Sequence, residues 1–219
     1  MMSRVHEEFD LSSLKIVSYG TESMPESTLK VFHKYYPNIK LKQTYGLTEL
    51  GVMRTKSRSS ESLWVMVGGE EYQTKVVDNT LFIKAKSTIL GYLNAESPYD
   101  EDGWYNTGDK VEQDGEWLKF LGRDSDIINV GGQKVYPAEV ESVILEMENI
   151  SEVAVFGKDN PIIGKIVVAR INIEKDESLN DLKKRIRIFC KTKLESFKIP
   201  IQIEIATDSQ VTDRFKKIR

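Results

Sequence analysis

The run Tyr45-Gly46-Leu47-Thr48-Glu49 brings three kinds of chemistry into five residues. A strand-end aromatic such as Tyr45 can lie against adenine. Thr48 can donate a hydroxyl hydrogen bond to phosphate, and Glu49 is a hard oxygen donor suited to Mg²⁺. The competing interpretation is an ordinary turn and helix start, with Thr48 as N-cap and Glu49 in the first turn. Asp109 follows Thr107-Gly108 at the start of a strand, where a carboxylate can accept hydrogen bonds from both hydroxyls of a ribose. Arg123, after Gly122, offers a cation to ribose or phosphate. Taken singly, Asp109 is a turn residue and Arg123 a surface charge. Only their combination points to a nucleotide.

Three stretches carry that combination: YGLTE at 45–49, DGWYNTGD at 102–109 and LGRDSDIINVGGQKVYPAEVE at 121–141. In that order and spacing they resemble the signatures of the adenylate-forming (AMP-binding) superfamily, in its acyl-CoA synthetase/ligase-like branch. The likeness runs over essentially the whole chain but covers only the C-terminal part of such an enzyme. It implies an ATP-dependent ligase that converts a carboxylate to an acyl-adenylate and passes the acyl group to coenzyme A or to the phosphopantetheine of a carrier protein. It assigns Tyr45 and Gly46, with the small-residue strand end Gly20-Thr21-Glu22, to the adenine and the acyl pocket. Thr48 falls to the phosphate, Glu49 to Mg²⁺, and Asp109 and Arg123 to the ribose. Ser125, between Asp124 and Asp126, stands at the family's hinge, where many members carry Asp or Lys. Gly131-Gly132 matches a loop lining the thiol tunnel, although a plain hairpin turn also wants glycine.

The end of the chain, Thr212-Asp213-Arg214-Phe215-Lys216-Lys217-Ile218-Arg219, resembles the family's final lysine motif and places the catalytic lysine at Lys216. Phe215 stands where a glycine is usual, which leaves Lys217 as the other candidate. A cation there would neutralise charge growing on the α-phosphate. The family's phosphate loop should precede YGLTE, and nothing from Met1 to Tyr45 resembles it. Adenylation by this chain unaided is therefore not expected. Two rivals stand beside the ligase: a non-catalytic or partner-dependent module that binds AMP or a carrier protein, and an unrelated α+β protein with coincidental motifs.

The elements that must hold these residues fall into three textures. Leu14–Tyr19 and Lys40–Tyr45 read as strands ending at glycines, with a helix between them opened by Pro25. Leu29, Phe32, His33 and Tyr36 recur at helical spacing. Strand, helix, strand with chemistry at strand ends predicts the edge of a doubly wound α/β sheet over residues 1–60. With the rest of that sheet absent, this part should expose an apolar face, and so be loosely held or covered by a dimer partner or the missing N-terminal portion. Residues 61–122 read as a small β-barrel-like subdomain, with tight turns at Asp78-Asn79 and Asp114-Gly115 between alternating apolar runs. Residues 123–219 read as an α+β C-terminal lid domain. It has a hairpin around Gly131-Gly132 and a helix from Pro137 with Val140, Val143, Ile144 and Met147 on one face. Strands at Val153–Phe156, Ile166–Ile173 and Ile201–Ile205 follow, with a helix at about Leu179–Leu194.

Composition narrows the class. With 40% apolar and 30% charged residues in 219, the chain is globular rather than disordered. A net charge of −3 gives no general pull toward nucleic acid. The basic run from Lys183 to Arg187 reads as a solvated helix face. One cysteine, Cys190, and two histidines, His6 and His33, argue against an internal disulfide, a transition-metal site or a serine–histidine triad. No stretch is long enough to cross a bilayer as a helix, and a cytoplasmic location is the default expectation.

Overall fold

The alternation of β-branched and polar residues, broken by residues that accept positive φ, decides most of the architecture. The computed structural model describes residues 9–208 and Gln210. The chain divides into two compact units, with the division between Ser125 and Asp126; Pro25–Thr28 group with the later unit. Both are mixed α/β with open sheets, and no closed barrel is formed among the described residues.

The earlier unit begins with β1 (Ile16–Tyr19) and β2 (Lys40–Gln43), a parallel pair connected through helix α1 (Glu26–Tyr35). Leu29 anchors the inner helix face, while Ile16 is 61% exposed, because no further strand among the described residues pairs with β1 or covers that face. Gly20 ends β1 for a steric reason. A Cβ there would lie 2.4 Å from Thr44 Oγ1, so any side chain would drive the two strand ends apart.

Seven antiparallel strands follow: β3 (Tyr45–Leu47), β4 (Gly51–Ser57), β5 (Trp64–Gly68), β6 (Tyr72–Val77), β7 (Thr80–Ala85), β8 (Tyr105–Asp114) and β9 (Trp117–Arg123). Their spatial order is β3-β4-β5-β9-β8-β7-β6, so strand pairing runs without a break across residue 60. Val65, Val67, Leu81, Ile83, Val111 and Leu118 form the buried face, together with Leu50 and Met53. Full burial of each such side chain contributes about 1.5–3 kcal/mol. At the β6–β7 turn Asp78 and Asn79 have φ of 49° and 59°, the two positive values that a type I′ turn needs. The β8–β9 turn differs from the sequence expectation. Asp114 pairs with Trp117, so the turn residues are Gly115-Glu116 and only the glycine has positive φ, the pattern of a type II′ turn.

The later unit contains β10 (Ile128–Val130), β11 (Gln133–Val135), α2 (Pro137–Ile144), β12 (Ile150–Asn160), β13 (Gly164–Ile173), α3 (Leu179–Lys191) and β14 (Gln202–Ile205). The sheet order is β11-β10-β13-β12, with β14 parallel to β13. Val140 and Ile144 of α2, and Leu182, Ile186 and Cys190 of α3, pack on Val153, Val155, Val167, Ala169 and Ile171. Ser178 caps α3 by accepting from the Asp181 amide at 3.2 Å. Buried Glu141 accepts from the Val155 amide at 2.9 Å, which ties α2 to the sheet. The basic residues of α3 behave as expected: Lys184 and Arg187 face solvent, and Arg185 pairs with Glu177.

Candidate functional site

The YGLTE run forms one strand, the turn beyond it and the approach to β4. Tyr45–Leu47 pair with Gly51–Met53, and Thr48 and Glu49 sit in the turn. This excludes the helix-start interpretation, because the residues after Glu49 enter a strand. Gly46 lets the two strands approach closely here: a Cβ would meet the Gly51 carbonyl oxygen and Val52 Cα at 3.0 Å each, so both would have to give by a few tenths of an ångström.

Tyr45 projects from this hairpin toward β8 and β9. Its hydroxyl donates to Asp109 Oδ2 at 2.6 Å, and its ring stacks on Phe120 with centroids 4.6 Å apart. Asp109 and Arg123 are directly opposite across β8 and β9, and Arg123 Nε forms an ion pair with Asp109 Oδ1 at 3.2 Å. A β-bulge immediately beyond this pair, at Lys110/Val111, resets the register, as bulges often do beside functional side chains. Thr107 fixes the backbone from behind. Its hydroxyl donates to the Leu81 carbonyl at 2.8 Å and accepts from the Asp109 amide at 3.0 Å. Asp109 is buried whereas Arg123 is exposed, so the carboxylate is fixed and the guanidinium reaches solvent. Burial, then the charge and hydrogen bond of Asp109, hold the Tyr45 phenol far above its usual range, and it stays a proton donor.

Glu49 lies in the same neighbourhood. Partial burial would raise its carboxyl pKa, but hydrogen bonds, led by that from Tyr92, together with the nearby Arg123 charge outweigh it and hold Glu49 below the ordinary carboxylate range. Tyr105 is pushed well upward by burial and by the Glu49 charge. Tyr45, Glu49, Asp109 and Arg123 therefore gather on one β-rich unit, as required of a shared site. Thr48 is exposed in the turn beside Glu49.

The remaining candidates are distributed differently. Thr21 and Glu22 follow β1, and Thr21 has φ of 69°, a left-handed conformation rare for a β-branched residue. Gly131 and Gly132 belong to the later unit, with φ of 57° and 85°. They make the β10–β11 turn, whose Gly132 amide donates to Asn129 Oδ1 at 2.9 Å. Both positive angles need glycine whatever else the loop does. Lys216 and Lys217 lie outside the described residues. Sequence reasoning missed Phe120, Thr107, Tyr92, Tyr99 and Tyr105. The tyrosines reach Glu49 from 43 to 56 positions away, and no local periodicity marks such a meeting.

Residues 139–216 match the family described as the AMP-binding enzyme C-terminal domain. The chain carries the C-terminal domain of AMP-binding enzymes. Acyl-CoA synthetase 7 of Caenorhabditis elegans is 30% identical over 230 residues, spanning 97% of this chain and 42% of that protein. The 2-succinylbenzoate–CoA ligase of Bacillus licheniformis is 30% identical over 223 residues, spanning 91% of this chain and 45% of that ligase. Among solved structures, the anthranilate CoA ligase AuaEII in complex with anthranoyl-AMP superposes with a TM-score of 0.82. It is 23% identical, over 98% of this chain and 45% of that one, which establishes a shared fold. The chain thus spans less than half the length of these relatives and corresponds to their C-terminal part. No helix among the described residues is long and apolar enough to cross a membrane.

Proposed function

We propose that this chain supplies the ribose and metal side of an acyl-adenylate-forming site, together with the C-terminal lid domain, of an ATP-dependent acid–thiol ligase. The reaction is ATP plus a carboxylate giving acyl-AMP and pyrophosphate, followed by attack of a thiol, that of coenzyme A or of a carrier protein's phosphopantetheine, on the acyl carbon with release of AMP. The observation that carries this reading is the Tyr45–Asp109–Arg123 cluster, with Glu49 in the same hairpin as Tyr45.

Each side chain has a task suited to its setting. Asp109 is buried beside a cation, a fixed acceptor for ribose hydroxyls. Arg123 reaches solvent and can turn toward ribose or phosphate without losing Asp109. Tyr45 and Gly46, with Gly20, Thr21 and Glu22, frame adenine and the acyl end, and Thr48 donates to phosphate. Glu49 fits Mg²⁺: it is a hard, ionised oxygen donor, and no cluster of three acidic, histidine or cysteine side chains suited to a metal exists among the described residues. That is the donor set of an ion that takes one or two protein carboxylates and completes its shell with phosphates and water. Bound there, Mg²⁺ would neutralise phosphate charge. Lys216 meets the reacting phosphate, Gly131-Gly132 line the thiol path, and Ser125, in the short 3₁₀ turn Asp124–Asp126, is the hinge. By resemblance to the family, residues 1–60 are assigned to the edge of the α/β subdomain, 61–122 to a β-rich subdomain whose sheet is open and continues into the strands before residue 60, and 123–219 to the lid.

Calorimetric titration of the chain with AMP and with a non-hydrolysable acyl-adenylate analogue tests this. Binding that is lost in Asp109→Ala is expected; absence of binding, or binding indifferent to Asp109, rejects the assignment.

A further inference from the structure

Glu49 is held by the segment between β7 and β8, outside every motif that suggested its role. The Tyr92 hydroxyl donates to Glu49 Oε1. The Tyr99 hydroxyl donates to the Glu49 backbone carbonyl at 3.0 Å, and the Ile89 amide donates to the same carbonyl at 3.1 Å. Three donors spread over eleven residues thus converge on one residue. Two of them hold its main chain, and the third, Tyr92, leads the hydrogen bonds to its carboxylate, to which Tyr105 also contributes. Tyr99 anchors the later part of the segment on the core and on Tyr105, whereas around Tyr92 the neighbours Leu90 and Leu93 are fully exposed and bury no apolar surface.

We propose that Tyr92 is the positioning residue of Glu49: by holding Oε1 it fixes the carboxylate so that Oε2 is presented to the cation of a metal–nucleotide complex. This rests on Glu49 being the metal carboxylate of the site. The physical logic is that of an outer-shell donor. A half-exposed glutamate has three rotatable bonds, and freezing them on binding costs affinity. A partner that freezes them beforehand removes that cost. The oxygen that accepts the phenol has one of its lone pairs engaged, which leaves the other oxygen the freer ligand for a cation.

The test is a double-mutant cycle on the full chain with Tyr92→Phe, Glu49→Gln and the double variant. Mn²⁺·ATP binding is read from loss of the free Mn²⁺ resonance signal, and AMP binding without metal is read by calorimetry. Tyr92→Phe is expected to weaken Mn²⁺·ATP binding roughly tenfold, as loss of an outer-shell partner does. It should leave AMP affinity within about twofold and the melting temperature unchanged, because an exposed hydroxyl contributes little to folding. The double variant should bind no more weakly than Glu49→Gln alone, a non-additivity that a merely structural tyrosine does not produce. If Glu49→Gln loses Mn²⁺·ATP and Tyr92→Phe keeps wild-type affinity, Tyr92 has no positioning role while the metal reading of Glu49 stands. If Glu49→Gln changes nothing, or the wild-type chain binds no Mn²⁺·ATP, the metal reading itself falls and this proposal falls with it.

Discussion

Replacing Asp109 by alanine should cost folding free energy as well as nucleotide affinity, and the structure gives the size of the effect. The Tyr45 hydroxyl donates to Asp109 at 2.6 Å from a partly buried position, so truncation leaves the phenol without its partner at a cost of about 1–3 kcal/mol. The ion pair with Arg123 adds less. The Arg123 side chain is 57% exposed and water replaces the lost partner, so its share is below about 1 kcal/mol. Asp109→Ala should therefore destabilise the β-rich unit by about 2–3 kcal/mol. Tyr45→Phe, which deletes the donor and keeps the stack on Phe120, should cost about 1–1.5 kcal/mol. In the double variant neither orphan remains, so the sum is not reached, and a coupling of about 1–1.5 kcal/mol is expected. Urea unfolding followed by tryptophan fluorescence is the suitable assay, because Trp64, Trp104 and Trp117, the three tryptophans of the chain, all lie within Leu29–Ser125. The transition they report is that of the unit under test even if the later unit unfolds separately. Costs that add to within about 0.5 kcal/mol would show that the Tyr45–Asp109 bond does not form in solution.

Two further outcomes follow from the later unit. Burial pushes the Cys190 thiol up to about 11. Its thiolate fraction at pH 8 is then about one in a thousand, so native Cys190 should react with iodoacetamide at least about a hundredfold more slowly than in the urea-unfolded chain; equal rates would contradict its place in the core. The Arg185 guanidinium, donating to Glu177 Oε1 at 2.7 Å and Oε2 at 2.8 Å, holds the Glu177 carboxyl below its usual 4.5. A depressed carboxylate contributes stability that is present above its unfolded pKa and lost as pH falls through the folded one. Arg185→Gln should therefore lower stability at pH 7 and leave it little changed well below pH 4. Carbon-detected NMR should show Glu177 titrating higher in the variant, and an unmoved titration would remove the pair from the account.

Much of the layout is readable from local pattern. Asp78-Asn79 and Gly131-Gly132 mark turns because positive φ is costly for most residues, and both pairs occur where two strands reverse. The four-residue spacing of Leu182, Ile186 and Cys190 marks the buried face of α3 for the same kind of reason: helical geometry is local. The β3–β4 hairpin was not legible, since Thr48-Glu49 satisfies the rules for a helix start as well as those for a turn, and only pairing with Gly51–Met53 decides between them.

The residue types needed for nucleotide chemistry, their order, and the class of protein to which they point were written in the linear chain, because motif spacing and turn chemistry depend on near neighbours. Which of those residues meet was decided by strand register. Asp109 faces Arg123 because β8 and β9 pair as they do, Tyr45 reaches Asp109 from 64 positions away, and Tyr92 reaches Glu49 from 43. Contacts of that separation cost loop entropy that only the packed sheet repays, so they exist in the folded molecule and leave no local trace in its sequence.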